Sequence, residues 1–232
     1  FTMFSSTSRE DTARLFRKMG YHCNNINSYK FTASTPVNNS LMGIRYMLRK
    51  NGASRDPAVE HVAATGDMSL SENPFALSVG VPTGPELLNW NPQYISPFSN
   101  WNNLLNALGE EDLFQHVDVE VVTGFNFGPA SGGGSLGRTF IPEDTNDSTI
   151  MNLRYEVPED QYVYFAIDPN QRSTINITIN EGDYVNELGP ESDSTIRLAE
   201  NRSIHWIETF DIGYTFAGDV IDITLEQTAE NA

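Results

Sequence analysis

Apolar and polar residues alternate with a period of two along the second half of the chain, and this pattern constrains the fold more than any other. The valines of 117–121, the isoleucines of 175–179 and the Ile and Leu residues of 221–225 each alternate with acidic, Asn or Thr residues. Because successive side chains of a strand point to opposite faces, each segment indicates a strand with one buried face. Further strands are predicted over 149–157, 162–168, 195–199 and 204–210. Residues 116–232 are therefore predicted to form an antiparallel β-sandwich of the jelly-roll type.

The first half combines helical and extended signals, so residues 1–115 are predicted to form a small α/β lobe and the whole chain an α+β protein. An amphipathic stretch that ends at Gly20 predicts a helix over about 8–19, with Ser8 as its N-cap. A second helix is predicted over 96–109, where a capping serine is followed by proline at the first helical position.

Between these helices the lobe carries its strand signals. A polar turn cluster at 34–40 precedes the apolar run 44–48, which predicts a short helical turn followed by a buried, central strand. Asn51 and Gly52 close that run. Residues 21–31 alternate weakly, which predicts a strand interrupted by a turn near the asparagines at 24 and 25.

Charge is distributed unevenly along the chain, whose net charge is −17. Residues 1–50 contain eight Lys or Arg and two acids, a balance of +6, which leaves −23 for residues 51–232. Such an acidic body repels phosphates, so nucleic acid is excluded as a partner. The basic first segment is interpreted either as a solvated helix face or as a surface that meets anionic headgroups.

The sequence contains no run of about 18 apolar residues, and its first residues lack the pattern of a signal peptide. The chain is therefore expected to be soluble, and because it begins at Phe1 it is expected to be a piece of a longer protein. Its single cysteine, Cys23, cannot form an internal disulfide and is interpreted as a small buried thiol.

No catalytic motif can be assigned. The four histidines have no zinc-ligand spacing, no nucleophile elbow is present, and the glycine-rich stretch 124–137 fits a flexible loop better than a phosphate loop. Acids at 143–147 and 181–187 have the oxygen ligands of calcium, but turn acids in solvent explain them more simply. We therefore predict no catalytic residue, metal or cofactor, and paired carboxylates of a glycosidase cannot be nominated among 31 acids.

The remaining chemical signal is a set of aromatic residues among asparagines. Aromatic rings stack on sugar rings and amides bond to hydroxyls, so the set is a candidate carbohydrate contact. Packing of the same aromatics in the core is the alternative. The candidate residues are Trp90, Tyr94, Trp101, Trp206, Asn91 and Asn102.

Short motifs along the chain carry a family resemblance. They are Phe4-Ser5-Ser6-Thr7 with Met19-Gly20-Tyr21, Thr35-Pro36 with Ser40-Leu41-Met42-Gly43-Ile44-Arg45-Tyr46, Glu72-Asn73-Pro74-Phe75-Ala76-Leu77-Ser78-Val79-Gly80, Pro97-Phe98-Ser99-Asn100-Trp101-Asn102, and the segments 160–167 and 207–225. Together they resemble the extracytoplasmic part of the YfhO family of bacterial multi-pass membrane proteins. Ser78 stands where the family pattern has proline and Trp101 where it has glutamine, and neither change alters the expected fold.

The resemblance implies a function for a larger parent protein. The family is similar to polytopic glycosyltransferases that use a lipid-phosphate sugar donor and decorate teichoic acids or similar wall polymers of Gram-positive bacteria. Its presumed catalytic acids belong to a part not present in this chain. The chain would then lie on the extracellular face of the cell membrane, with its own transmembrane domain as partner and a cell-wall glycopolymer as a further candidate partner.

Two functional interpretations remain open. In the first, the chain contributes acceptor recognition or scaffolding to a membrane glycosyltransferase and contacts sugar through the aromatic set. In the second, it is a structural or protein-interaction module without carbohydrate binding. Exposure of Trp90 and Trp101 along a groove would favour the first, and burial would favour the second.

Overall fold

In a computed structural model, the part of the chain that the structure describes forms three α-helices of eleven residues or fewer, a short 3-10 helix (Pro85–Asn89) and a set of small sheets. The structure describes residues 4–5, 9–23, 26–30, 35–50, 57–78, 80, 82–94, 96–129, 140–168, 173–180, 196–204 and 207–229. The β-rich α+β class predicted from the sequence is confirmed. The glycine-rich stretch at 130–137 and the acids at 181–187 lie outside the described residues.

The chain divides into two compact units. The first comprises Phe1–Phe114, Tyr162–Ala166 and Glu208–Tyr214, and the second comprises Gln115–Gln161, Ile167–Ile207 and Thr215–Ala232. The sequence placed a single boundary between residues 115 and 116. In the structure the chain instead returns twice to the first unit, because the middle of β11 and most of β14 belong to it.

A five-stranded antiparallel sheet forms the second unit. Its spatial order is β13-β12-β15-β10-β7, and β15 lies at its centre between β12 and β10. Leu153, Ile175 and Ile223 have 5% of their surface exposed or less, and all three lie on the same face of the sheet. The strands are β7 (Glu120–Phe125), β10 (Thr149–Glu156), β12 (Ser173–Ile179), β13 (Ile196–Ile204) and β15 (Val220–Gln227).

Two smaller sheets complete the β-structure of the second half. β8 (Phe127–Pro129) pairs with β9 (Phe140–Pro142), and β11 (Gln161–Ile167) pairs with β14 (Glu208–Thr215). The period-two segments 175–179 and 221–225 thus became β12 and β15, and their isoleucines are buried. The segment 117–121 did not follow the prediction, because β7 begins only at Glu120 and Val121 is 37% exposed. Burial of one face supplies the stabilisation that period-two patterning predicts.

One asparagine organises the turn that joins β7 to β8. Asn126 adopts a left-handed conformation, with a φ of 59°. Its side-chain nitrogen donates to the carbonyls of Asp144 and Asp147 at 2.7 and 3.0 Å, and its Oδ1 accepts the Asp144 N–H at 2.7 Å. Asparagine tolerates this conformation better than most residues. A single side chain therefore ties two turns together.

Two helices of the first unit match the sequence prediction closely. α1 spans Glu10–Lys18 and α3 spans Pro97–Ala107, with Ser96 as the N-cap of α3. Arg9, not Ser8, occupies the N-cap of α1, and Ser8 lies outside the described residues. Gly20 follows α1 with a φ of 88°. A Cβ at Gly20 would collide with Thr209 and Pro97, so glycine is required for close packing as well as for its conformation.

The predicted central strand of the first unit is wrong. α2 (Pro36–Leu41) does form the expected short helical turn, capped by the Thr35 hydroxyl, which accepts the Asn38 N–H. However, β4 (Tyr46–Lys50) is an edge strand in the order β4-β6-β5. Tyr46 and Leu48 are 57% and 44% exposed. An apolar run in a sequence does not indicate whether its strand lies at the centre or the edge of a sheet, or which face of that strand is buried.

The partners of β4 were not predicted. β5 (Glu60–Thr65) and β6 (Met68–Glu72) form an antiparallel hairpin, and β6 lies in the middle of the sheet. β6 buries Ser69 and Ser71, side chains that carry no apolar signal in the sequence. Two two-residue strands, β2 (His22–Cys23) and β3 (Tyr29–Lys30), correspond to the interrupted strand predicted over 21–31, and β1 (Phe4–Ser5) pairs with β3.

The core of the first unit joins both long helices to β2. Met19, Tyr21, Cys23 and Trp101 are its fully buried members. Phe16 and Tyr29 stack with their ring centroids 4.4 Å apart, and Phe16 meets Tyr21 edge to face at 5.0 Å. Leu104 and Phe114 pack against the same cluster. Across the part of the chain that the structure describes, every helix is too short or too polar to cross a bilayer.

We predict that Asn126→Ala destabilises the second unit by about 1–3 kcal/mol, because three hydrogen bonds are lost and alanine is strained in the left-handed conformation. Asn126→Gly removes the same hydrogen bonds but accepts the left-handed conformation freely, so it should recover about 1 kcal/mol of that loss. Urea denaturation followed by circular dichroism measures both differences. Equal stability of Asn126→Ala and the natural protein would contradict this role.

Candidate functional site

Trp101 is not available to a sugar. Its side chain is 3% exposed, and its indole N–H donates to the carbonyl of Met19 at 3.1 Å. The residue lies on α3 and packs against Tyr21 and Cys23. The carbohydrate contact predicted for Trp101 is therefore corrected: its ring holds the end of α1 against α3.

Asn102 also belongs to the interior. It is 5% exposed, its amide donates to the Phe114 carbonyl at 2.8 Å, and its Oδ1 accepts the backbone N–H groups of Leu113 and Phe114. These bonds fasten the segment after α3, which has no backbone partner of its own in a sheet. The sugar contact predicted for Asn102 is corrected for the same reason as that of Trp101.

Trp90 and Asn91 occupy the connection before α3. Trp90 is half-buried and packs against the core of the first unit, and its buried indole N–H has no partner among the described residues. Asn91 is exposed, and its carbonyl accepts the side-chain amide of Gln93 at 2.9 Å. Trp90 therefore serves mainly the core, and Asn91 offers its side chain to solvent.

Tyr94 is the one predicted aromatic residue among those described that presents a large surface to solvent, with 67% exposed. The Lys18 ammonium lies 4.9 Å from the centre of its ring and donates to the Pro92 carbonyl at 2.8 Å. This is cation–π geometry. Lys18 occupies one face of the ring, so only the other face can stack on a ligand. Trp206, the last predicted site residue, lies outside the described residues.

Asn100 is a further asparagine of this region whose side chain forms hydrogen bonds with backbone groups. It is fully buried, donates to the carbonyls of Lys18 and Gln93 at 2.7 and 2.8 Å, and accepts the Gln93 N–H at 2.9 Å. The Asn-rich segment before and within α3 is thus a set of clamps between loops. The signal for this role was present, because Asn side chains mimic and satisfy backbone groups.

The strongest perturbations of pKa in the first unit belong to its core. Burial raises the pKa of the Tyr21 phenol far above its ordinary value, and the charge of nearby Cys23 adds to the effect. Burial also raises the pKa of the Cys23 thiol to about 12, against a smaller opposite effect of Arg17. Both side chains are 0% exposed, so these shifts express burial and do not mark a reactive group.

Acids at the β9–β10 turn do not form a metal site among the described residues. Glu143, Asp144 and Asp147 are exposed, and the part of the chain described contains no group of three His, Cys, Asp or Glu side chains that could hold a metal. Asp144 accepts the backbone and side-chain N–H groups of Asn146, which lowers the pKa of its carboxyl. It therefore closes a turn by local hydrogen bonds.

One contact between a buried carboxylate and a histidine was not predicted. The Glu208 carboxylate is 1% exposed, and its Oε2 lies 3.5 Å from Nδ1 of His22. Glu208 begins β14 and His22 begins β2, so the pair links the two ends of the first unit's chain in space. Nothing local in the sequence marks this pairing, because the two residues are far apart along the chain.

These features describe a β-rich domain whose aromatic and Asn residues mostly serve its own interior. Comparison with protein families places it within a class of bacterial membrane proteins. The family model described as bacterial membrane protein YfhO matches residues 1–228. The chain therefore belongs to the YfhO family, as its motifs indicated. No curated protein and no solved structure matches it.

We predict that Asn102→Ala and its neighbour Asn103→Ala differ sharply in stability. Asn102→Ala leaves three backbone groups of the segment 113–114 without their partner and should cost about 1–3 kcal/mol. Asn103 is exposed on the same helix, so Asn103→Ala should lie within about 0.5 kcal/mol of the natural protein. Urea denaturation measures both. An equal effect of the two substitutions would show that the clamp contributes nothing.

We predict that Cys23 does not react with a thiol reagent such as DTNB in the folded protein at mildly alkaline pH. The thiol is buried, so the reagent cannot reach it, and its pKa is raised to about 12, so almost none of it is present as the reactive thiolate. One thiol per chain should react after unfolding in concentrated guanidinium chloride. Thr65→Cys, at an exposed position of β5, is the positive control in the folded state. Rapid reaction of native Cys23 would contradict its place in the core.

Proposed function

We propose that this chain is an extracytoplasmic, non-catalytic domain of a YfhO-family membrane protein and that it acts as a structural and interaction module. The observation that carries the proposal is the burial of Trp101, Asn100 and Asn102. These residues hold the first unit together, and their side chains are taken up by contacts within it. Of the two interpretations that the sequence left open, this geometry favours the second at that location.

The proposal also covers the chemistry of the full-length parent protein. The resemblance implies a glycosyltransferase that takes sugar from a lipid-phosphate donor and acts on cell-wall polymers. We place that reaction outside this chain. Within the described residues, the two groups with the most strongly raised pKa, Tyr21 and Cys23, are sealed in the core and cannot meet a substrate. The jelly-roll form of the sandwich is likewise part of the proposal.

A second candidate function rests on Tyr94. One face of its ring is open, the Lys18 ammonium lies beside it, and Asn91 is exposed in the same loop. An open ring face beside an ammonium and an amide suits a sugar that carries an anionic group. This would make the loop 91–94 a contact for an acceptor polymer, with fewer residues than the sequence predicted.

The side of the membrane is the part of the proposal most open to a direct test. The resemblance favours the outside. The Lys and Arg excess of residues 1–50 would favour the cytoplasm if this segment adjoins a membrane span. The two arguments point in opposite directions, so an experiment in cells decides between them.

We predict that Glu159→Cys in the full-length protein reacts with a membrane-impermeant maleimide on intact cells. Glu159 lies in the exposed turn between β10 and β11, so its replacement should be accessible. Ile177→Cys, at a position that is 0% exposed, is the matched negative control. The natural protein, treated in parallel, reports labelling at cysteines elsewhere.

Labelling of Glu159→Cys only after the membrane is permeabilised would place the domain in the cytoplasm and overturn the proposal. Labelling of both variants to the same extent would indicate an unfolded domain, which the Ile177→Cys variant is designed to detect. If the domain is folded and faces the outside, the maleimide should label Glu159→Cys and should not label Ile177→Cys.

A further inference from the structure

The outward face of the five-stranded sheet carries rows of polar side chains that the domain does not use for its core. Along β10, Met151 and Leu153 are buried, so Asn152 and Arg154, which alternate with them, point to the opposite face. Directly paired residues of antiparallel strands share a face. Their partners on β15, Thr224 and Asp222, therefore lie on the outward face as well.

One row crosses four strands without interruption. Thr123 is paired with Asn152, Asn152 with Thr224, and Thr224 with Asn176. Asn152 donates to the Thr123 hydroxyl at 2.7 Å and accepts the Thr224 hydroxyl at 2.9 Å. Neighbouring strands are ~4.8 Å apart, so amide and hydroxyl groups recur at that interval across the sheet.

The adjacent row adds a fixed guanidinium and carboxylate. Arg154 donates from Nε and Nη2 to the two carboxylate oxygens of Asp222 at 2.7 and 3.1 Å. The pair raises the pKa of Arg154 through that hydrogen bond and the charge of Asp222. A shallow cavity of about 280 Å³ lies between the two rows, lined by Val122, Asn152, Leu153, Arg154, Asp222, Ile223 and Thr224.

These groups keep hydrogen-bonding capacity after their mutual contacts. An amide has two donors and two acceptor sites, and Asn152 uses one of each within the row. The guanidinium has five donors, of which the fork with Asp222 uses two. The Arg154 side chain is 48% exposed. Spare donors and acceptors thus stand side by side, which suits a ligand that offers both from the same group, namely a hydroxyl.

An exposed aromatic ring borders the polar rows. Phe125 is 59% exposed and is paired with Ile150, which is 37% exposed and lies two residues before Asn152 on β10. Both therefore lie on the outward face, next to the row of Thr123 and Asn152. An apolar ring beside paired donors and acceptors matches a sugar, which has an apolar C–H face and a rim of hydroxyls.

Charge on this face restricts the ligand further. On β7, β10 and β15, strand alternation and pairing assign four acids to this face, against one cation, Arg154. An acidic face repels phosphate, sulfate and uronate groups. The ligand class that fits is therefore a neutral glycan. The acids are Glu120, Glu156, Asp222 and Glu226.

We propose that the outward face of β7, β10 and β15 binds a neutral oligosaccharide, with Phe125 stacked on a sugar ring and Asn152, Thr224 and Arg154 bonded to hydroxyls. This goes beyond the proposed function, because it names a ligand and a surface different from the loop 91–94. It also stands independently of membrane topology, since binding by the isolated 232-residue chain does not depend on the side of the membrane.

The test is isothermal titration of the 232-residue chain with three neutral probes, cellohexaose, maltohexaose and chitohexaose, and with a heparin hexasaccharide as the anionic probe. At least one neutral probe should bind, and heparin should bind at least tenfold more weakly. Amide NMR shifts should move at residues of β7, β10 and β15. Failure of all three neutral probes, or tighter binding of heparin, would overturn the proposal.

Variants connect the binding to this face. Phe125→Ala should weaken the neutral probe about fivefold and Asn152→Ala about tenfold, because a stacked ring and a bidentate amide are removed. Phe75→Ala, at an exposed aromatic residue of the first unit, is the matched control and should leave affinity unchanged. Circular dichroism and the thermal midpoint confirm that Phe125→Ala remains folded. Loss of binding in Tyr94→Ala with full binding in Phe125→Ala would assign the site to the loop 91–94 instead.

Discussion

Buried backbone groups in loops must find hydrogen-bond partners, and in this chain asparagine side chains supply many of them. Asn100 closes the loop before α3, and Asn102 fastens the segment after it. Asn73 donates to the Ile44 carbonyl, and its Oδ1 accepts the Phe75 N–H. In the second unit, Asn126 ties two turns and Asn180 pairs with Asp219 and the Val220 N–H. The sheets and helices are short, so these clamps fix the connections that regular structure cannot.

The parts of the fold that follow from local physics were predictable. Period-two alternation located the strands around Ile177 and Ile223, because one face of each is buried, and the Ser96–Pro97 start located α3. The place of β4 at a sheet edge depends on its partners β5 and β6, whose serines and alanines give no strong pattern. The return of β11 and β14 to the first unit is likewise a property of tertiary contact. Neither the edge position of β4 nor this return can be predicted from the local sequence.

The candidate carbohydrate contact was likewise only partly predictable from the sequence. Tryptophan and asparagine side chains offer the same rings and amides to a sugar as to a protein core, so composition alone cannot separate the two uses. Burial separates them: Trp101 is 3% exposed and Tyr94 is 67% exposed, although they lie in one aromatic segment. The sequence singled out the segment and left both uses open for it. Prolines and asparagines before α3 build loops, and loops need clamps.

The side-chain amides of Asn100 and Asn152 differ in whether a ligand can form hydrogen bonds with them. The buried side chain of Asn100 makes its hydrogen bonds with backbone groups of Lys18 and Gln93, so the water it lost on burial is already replaced within the protein. Asn152 lies on an open face, uses half of its capacity and is flanked by Phe125 and Arg154. A ligand hydroxyl can form a hydrogen bond with Asn152 without breaking an existing one. To reach Asn100, it would have to unfold a loop. Binding capacity therefore belongs to the sheet face, and asparagine content by itself indicates only how the connections are held.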